Sequence, residues 1–257
     1  MCPGIDPSPA MLEHWGLRDS AAGAREFALG YLDALAGRVA VMKPNVAFFE
    51  QYGAAGIGAL EAFVSAARDA GVLSILDAKR GDIESTNIAY ARAWVGDDSP
   101  LAGDAVTLSP YLGARALAPF VEEAASSGRG VFVVARSSNP EGREVQLATT
   151  APGASLEASV LEEVVRRPSV VGAVVGLMAG APPLSLPEHA FYLAPGLGSQ
   201  GAGLADLAGQ FGGLRSTPVV VNLSRALAVA GPDRAALADA AARAQGEIAR
   251  MLRPSGG

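Results

Sequence analysis

Lysine is nearly missing from this chain: of its 20 basic residues only Lys43 and Lys79 are lysines, and the rest are arginines. A coding bias toward Arg and Ala accounts for the scarcity but not for where the two survivors stand. Each closes an apolar run, "RVAVMKP" and "GVLSILDAK". An ammonium can give up its proton at accessible pH whereas a guanidinium effectively cannot, so two lysines kept at two strand ends point to proton chemistry. Cysteine is equally scarce, and a single Cys2 excludes an intrachain disulfide. The two histidines, His14 and His189, lie far apart and away from the strand ends, which leaves no metal-ligand pattern. A dinucleotide-binding glycine fingerprint is also missing. No apolar segment reaches the roughly 18 residues of a membrane span or has the flanks of a signal peptide, so a cytoplasmic location is expected. Positive charge is short overall, with a net charge of −6 and no basic run. Broad attraction to nucleic acid or to an anionic membrane is thereby excluded, and an anionic ligand must be held by a local site.

What the chain has in abundance is core material: 257 residues, 50% hydrophobic, with 31 glycines and 17 prolines. Apolar runs alternate with Ala-rich amphipathic stretches, the pattern of βα units on a parallel sheet. The runs are "CPGID", "RVAVMKP", "GVLSILDAK", "DAVTLSP", "GVFVVAR", "VVGAVVG", "AFYLAP" and "PVVVNLS". Helices are expected near residues 20–36, 54–70, 84–95, 113–127, 155–167, 203–211 and 233–252, with a loop-like link between the sixth and seventh strands. Eight strands with crossover helices fit an α/β fold of the (β/α)8 TIM-barrel type, one domain over residues 1–257 whose first strand starts almost at Met1. A doubly wound open sheet is the alternative.

In a barrel the chemistry belongs at the C-terminal strand ends. Those ends supply Asp6, Lys43, Asp77 with Lys79, Ser109, Ser137 with Ser138, Pro195, and Ser224 with Arg225. Asp77 and Lys79 are two apart, so an extended strand turns both into the barrel mouth. An inward carboxylate beside an inward ammonium is costly to desolvate unless paired, which makes them a structural ion pair or a working one. Asp82, after Gly81, reads as a helix N-cap. Ile83 reads as a core contact and Thr86 as a first-turn residue.

Taken together the block changes meaning. Asp77, Lys79, Asp82, Ile83 and Thr86 spell D-x-K-x-x-D-I-x-x-T, which resembles the signature of orotidine 5′-phosphate decarboxylases. "GIDPSP", "KPNVAFFEQYG", "SPYLG", "SSNPEG", "LAPGLGSQGA" and "SRALAVAGPD" follow as landmarks similar to the actinobacterial branch of that family, in order from residue 4 to 233. The resemblance implies decarboxylation of orotidine 5′-phosphate to UMP and CO2 without cofactor or metal. It makes Lys43, Asp77, Lys79 and Asp82 the catalytic array, in a homodimer whose Asp82, Ile83 and Thr86 enter the partner's site. It further implies Asp6 and Thr86 on the ribose hydroxyls, Ile83 as a wall of the base pocket, and Ser138, or its neighbour Ser137, on the pyrimidine edge. Pro195 and Gln200 fall in the phosphate-side loop, with Ser224 and Arg225 at the phosphate. Three residues depart from the family pattern: Asn45, expected behind the site; Arg136, expected at the pocket rim; and Ser224 before the arginine. A metal-dependent sugar-phosphate decarboxylase or aldolase on the same barrel, and a non-catalytic UMP-binding protein, are the competing readings.

Overall fold

Valine- and isoleucine-rich runs without polar alternation are what strands need when both of their faces are covered. All eight runs fold that way in the computed structural model, which describes residues 1–151, 153–166, 171–178, 184, 191–198, 202–212, 214 and 218–252. The strands are β1 (Cys2–Ile5), β2 (Val41–Pro44), β3 (Leu73–Arg80), β4 (Ala105–Leu108), β5 (Gly130–Arg136), β6 (Val171–Val175), β7 (Phe191–Ala194) and β8 (Val219–Leu223). Each pairs in parallel with the next, and β8 closes onto β1 to complete a barrel. Closure removes every unpaired sheet edge.

The helices are α1 (Pro9–His14), α2 (Ala21–Leu35), α3 (Ala47–Glu50), α4 (Gly53–Asp69), α5 (Glu84–Val95), α6 (Ala118–Ser126), α7 (Arg143–Gln146), α8 (Leu156–Val165), α9 (Leu204–Phe211), α10 (Arg225–Ala228) and α11 (Arg234–Leu252). The longer ones match the expected segments, except that the stretch from 113 opens with a 3-10 turn over Ala114–Leu117 before α6. The four-residue helices α3, α7 and α10, and the six-residue α1, were not expected, because they are too short for a 3.6-residue period to register. Most of the connection between β6 and β7 lies outside the described residues.

Helix α2 illustrates how the outer layer forms. Ser20 caps it by accepting the Gly23 N–H. Ala24, Phe27, Ala28, Tyr31, Leu32 and Leu35 then recur at helical spacing and are all buried. Strand parity divides the remaining apolar residues. Val131, Val133 and Ala135 of β5 face the helices, whereas Cys2, Ile75, Ala105, Phe132, Val174 and Leu193 form a plug inside the barrel. Stepping upward by two from this plug reaches Lys43, Asp77, Thr107 and Asn222, so alternation alone delivers polar side chains above an apolar floor.

Arg136 breaks that parity and corrects the expectation that it shapes the pocket rim. The β5–β6 register shifts between Val134 and Arg136, setting two residues of β5 against one of β6. This bulge turns Arg136 away from the barrel interior and toward α8. There its Nε and Nη2 donate to the two carboxylate oxygens of Glu157, at 2.7 and 2.6 Å. Both side chains are buried. Removing one partner of such a pair strands a buried charge, so Glu157→Ala should cost about 3–5 kcal/mol. The double replacement Arg136→Met/Glu157→Leu should recover most of that loss, and urea unfolding of the three proteins measures both effects.

Candidate active site

A cavity of about 670 Å³ opens at the C-terminal end of the barrel, and its polar lining comes from six strand ends, those of β1 to β5 and β8, and the loops after them. Its centre is Asp77. Oδ2 accepts from Lys43 Nζ at 2.5 Å; Oδ1 accepts from Lys79 Nζ at 2.6 Å and from Thr107 Oγ1 at 2.9 Å. Burial alone would raise the Asp77 carboxyl, but the ammoniums of Lys43 and Lys79 outweigh it and hold the group well below the usual carboxylate range. For Lys43, almost fully buried, desolvation works against the charge, and Asp77 and Asp6 more than restore it, so its pKa is raised.

Lys79 reaches Asp77 by a different route from the regular pleat expected for it. Between Leu76 and Arg80 the β3–β4 register shifts, with Arg80 opposite Leu108. Within that bulge Lys79 has φ of 47°, the one left-handed non-glycine residue among those described. Its N–H donates to Thr107 Oγ1 at 3.0 Å. Gly81 follows where a Cβ would stand 2.1 Å from the Ser109 carbonyl oxygen, so the bend admits no side chain.

Asp6 enters from the end of β1. Burial raises its pKa, against the pull of Lys43 and of a hydrogen bond from the Ser224 hydroxyl. Its Oδ1 is buried and has no hydrogen-bond partner among the described residues. Ser137 and Ser138 both line the cavity, but Ser137 is engaged: Gln146 Nε2 donates to its hydroxyl at 2.7 Å, and its N–H donates to Gln146 Oε1. Across from them Pro195 and Gly196 turn after β7. Gly196 has φ of 108°, and a Cβ there would stand 2.8 Å from that of Ser138, so glycine lets the two loops meet. Arg225, at the start of α10, is exposed at the rim and has no ion-pair partner among the described residues. Two carboxylates (Asp6, Asp77) against three cations (Lys43, Lys79, Arg225) leave the cavity one positive charge in excess on an acidic protein.

Known proteins resemble this chain along nearly its whole length. Residues 1–240 match the model of the orotidine 5′-phosphate decarboxylase / HUMPS family. The chain belongs to that family. An orotidine 5′-phosphate decarboxylase of Salinispora tropica is 49% identical over 95% of this chain and 90% of its own length, and one of Streptomyces coelicolor is 46% identical over 96% and 91%. A crystal structure from Streptomyces avermitilis superposes with a TM-score of 0.91 at 45% identity, covering 98% of this chain and 90% of that one. Leishmania donovani OMP decarboxylase gives 0.77 at 30% identity, covering 98% and 93%.

Within this orotidine 5′-phosphate decarboxylase family member, the barrel brings Asp6, Lys43, Asp77, Lys79, Ser138, Pro195, Ser224 and Arg225 to one cavity. Asp82, Ile83 and Thr86 do not line it, and Ile83 is 61% exposed. Gln200 and His189 lie outside the described residues. Three expectations fail, the first being Ile83, which at that exposure is not the core contact its type suggested. Asp82 is not the cap of α5: the N-cap is Ile83, and the turn is held instead by Asn87, which accepts the Asp82 N–H and donates to the Asp82 carbonyl. Asn45 stands in the cavity wall and not behind it, because it sits an even step beyond Lys43 on the inward face. Thr107 and Asn222 were missed. Inward parity from Ala105 and Val220 would have found both, whereas Ser109, picked as a strand end, donates its N–H to the Arg80 carbonyl outside the cavity.

No helix among the described residues is long and apolar enough to cross a membrane, and no three His, Cys, Asp or Glu side chains among them gather as metal ligands. The depressed Asp77 carboxyl has a pH signature. In the unfolded chain it binds a proton near pH 3.9, and in the folded one only in far stronger acid. Its contribution to stability is therefore complete above that range and is lost as pH falls toward the folded value. Asp77→Asn should be less stable than the unmodified protein at pH 7, with the gap narrowing as pH falls below about 4. Urea midpoints at successive pH values give the two curves; parallel curves would deny the coupling.

Proposed function

We propose that this cavity converts orotidine 5′-phosphate to UMP and CO2, a carboxy-lyase step of pyrimidine biosynthesis, through the Lys43–Asp77–Lys79 array and without a cofactor. The observation that supports it is Asp77 itself: an ionised carboxylate with an ammonium on each oxygen, at the open end of a barrel. Breaking the bond between C6 and the carboxylate leaves an electron pair in the plane of the pyrimidine ring, where nothing delocalises it. Stabilisation must come from a positive charge fixed beside C6. Lys79 offers one, with its side chain 53% exposed toward the cavity. As CO2 leaves, C6 takes a proton from Lys79 Nζ, and the neutral amine regains one from solvent. The substrate carboxylate, lying near Asp77, meets a like charge that disappears with CO2. Buried Lys43 stays on Asp77 Oδ2 and keeps that carboxylate ionised throughout.

The rest of the lining suits the nucleotide. Asp6 Oδ1 is a buried acceptor awaiting a donor, as a ribose hydroxyl provides. With Ser137 bound to Gln146, Ser138 is the serine left for the pyrimidine edge. Arg225 takes the phosphate, with Pro195, Ser224 and, by resemblance, Gln200 beside it. Phosphate contacts remote from C6 supply binding energy for ordering the loops around the reacting carbon. A divalent cation at Asp77 would stand against two ammoniums, which disfavours the metal-dependent alternative.

The protein acts as a homodimer in this reading, each chain lending Asp82, Ile83 and Thr86 to its partner's site, with no nucleic-acid or membrane partner and a cytoplasmic setting. In support, these residues lie off their own cavity, and Ile83, Ile88, Tyr111 and Leu112 are exposed large apolar side chains. Exposed apolar side chains beside these residues are what a second copy of the chain would cover in this reading. The direct test follows loss of orotidine 5′-phosphate absorbance with chelator present and no metal added. Turnover under those conditions supports the reading, and dependence on metal or absence of turnover overturns it.

Lys79→Ala should abolish turnover while UMP affinity stays within about an order of magnitude, because the ammonium acts on C6 and not on the phosphate. Stopped assays and UMP titration separate the two. For the shared site, Lys79→Ala and Asp82→Ala chains, each inactive alone, should regain activity when unfolded together and refolded. Random pairing makes half of the dimers mixed, each with one restored site of two, so recovery should approach roughly one quarter of unmodified activity. An inactive mixture of properly folded dimers would return Asp82 to its own chain.

A further inference from the structure

The left-handed backbone at Lys79 needs an explanation that the cavity does not supply. A side chain other than glycine loses free energy at positive φ, and such a conformation persists only where its surroundings over-determine it. On the cavity side the constraints are the Lys79 ammonium on Asp77 and the Lys79 N–H on Thr107. Neither fixes the backbone that follows. The next residue does. Arg80 points the opposite way, into the outer layer, where its Nη2 pairs with Glu50, the last residue of α3. Its guanidinium carbon lies 5.0 Å from the Trp94 ring centroid and 5.9 Å from that of Tyr90, both on α5. Nη1 donates back to the Ala78 carbonyl at 2.9 Å, and the Arg80 carbonyl accepts the Ser109 N–H at 2.7 Å. The chain beyond Lys79 turns with its φ and ψ: returning Lys79 to an extended conformation would swing Arg80 off both rings and away from Glu50.

We infer that Arg80, held by Glu50 and Trp94, is a positioning residue that locks Lys79 in the left-handed conformation from which its ammonium meets Asp77 at the cavity. The inference rests on the reading above in assigning Lys79 to proton delivery, but the backbone lock itself does not. The device joins three elements. Glu50 belongs to the segment after Lys43, Arg80 follows Lys79, and Trp94 lies on the helix that begins just after Asp82 and Ile83. A lysine in place of Arg80 would keep the charge but lose the planar group that stacks on the rings.

Two readouts test it. In Arg80→Ala, kcat should fall about tenfold or more, while KM and UMP affinity change less than about threefold, since a misaimed reacting group costs rate before it costs binding. Glu50→Gln should show the same signs at smaller amplitude and carries the test if Arg80→Ala does not fold. The second readout needs no substrate. With the brace intact, Lys79→Gly should unfold at a higher temperature than Lys79→Ala, because both lose the ammonium and only glycine is at ease at positive φ. In the Arg80→Ala or Glu50→Gln background that order should vanish or reverse. Retention of the glycine advantage in both backgrounds would overturn the inference, as would an unchanged kcat. Should the unmodified protein fail to decarboxylate orotidine 5′-phosphate, the functional reading falls, and the glycine–alanine comparison still decides whether Arg80 sets the Lys79 backbone.

Discussion

Asp77 is a carboxylate that the barrel cannot bury alone and does not leave in water. It takes two ammoniums and a threonine hydroxyl, and nearly every other feature of the site depends on how those three donors reach it. Lys43 comes from the neighbouring strand, Thr107 from the strand on the other side, and Lys79 from two residues along the same chain. Removing any one would leave charge or desolvated polar surface uncompensated. The apolar plug of Ile75, Phe132, Val174 and Leu193 below excludes water from one side, so that the array faces ligand from the other only. Electrostatic interactions are strengthened in such a setting.

Much of this was legible in the sequence, because the periods involved are simple. Eight apolar runs gave eight strands, and inward alternation carried Asp6, Lys43 and Asp77 to one cavity. The failures occur where a period breaks. A bulge in β5 sends Arg136 outward to Glu157, although counting by twos from Phe132 turns it inward. A bulge in β3 brings Lys79 to Asp77 through a left-handed residue, so the expected meeting occurs by a mechanism that alternation does not contain. Neither bulge has a local signature. Asp82 has the residue type and position of a helix cap, and tertiary context assigns the turn to Asn87 instead, which also donates to the Ala116 carbonyl across the next βα unit. Thr107 needed only the parity of its own strand; attention to strand ends passed it over in favour of Ser109.

The cavity also reconciles an acidic protein with a polyanionic nucleotide. Net charge acts at long range and is screened within about 8–10 Å at ordinary ionic strength. Inside the barrel mouth the local sum is positive, since three cations face two carboxylates, and one of those carboxylates is already neutralised twice over. The exposed Arg225 at the rim thus offers an anionic ligand a cation with no ion-pair partner among the described residues, which on the proposed reading is the phosphate site.

The placement of the two lysines acquires a physical sense from their exposures. Lys43 is 4% exposed at its side chain and Lys79 53%, although both bind the same carboxylate. A buried ammonium paired to Asp77 and near Asp6 has its charge secured and its access to ligand closed, which suits it to holding Asp77 ionised. A half-exposed ammonium on the other oxygen can leave Asp77 for a ligand atom without stranding a buried charge, because Lys43 remains behind. Arginine in the first position would bring a broad planar fork into a space that holds one nitrogen; in the second it would supply charge but no transferable proton. The two lysines are thus not duplicates: their surroundings differ, and on the proposed reading that asymmetry divides anchoring from proton delivery.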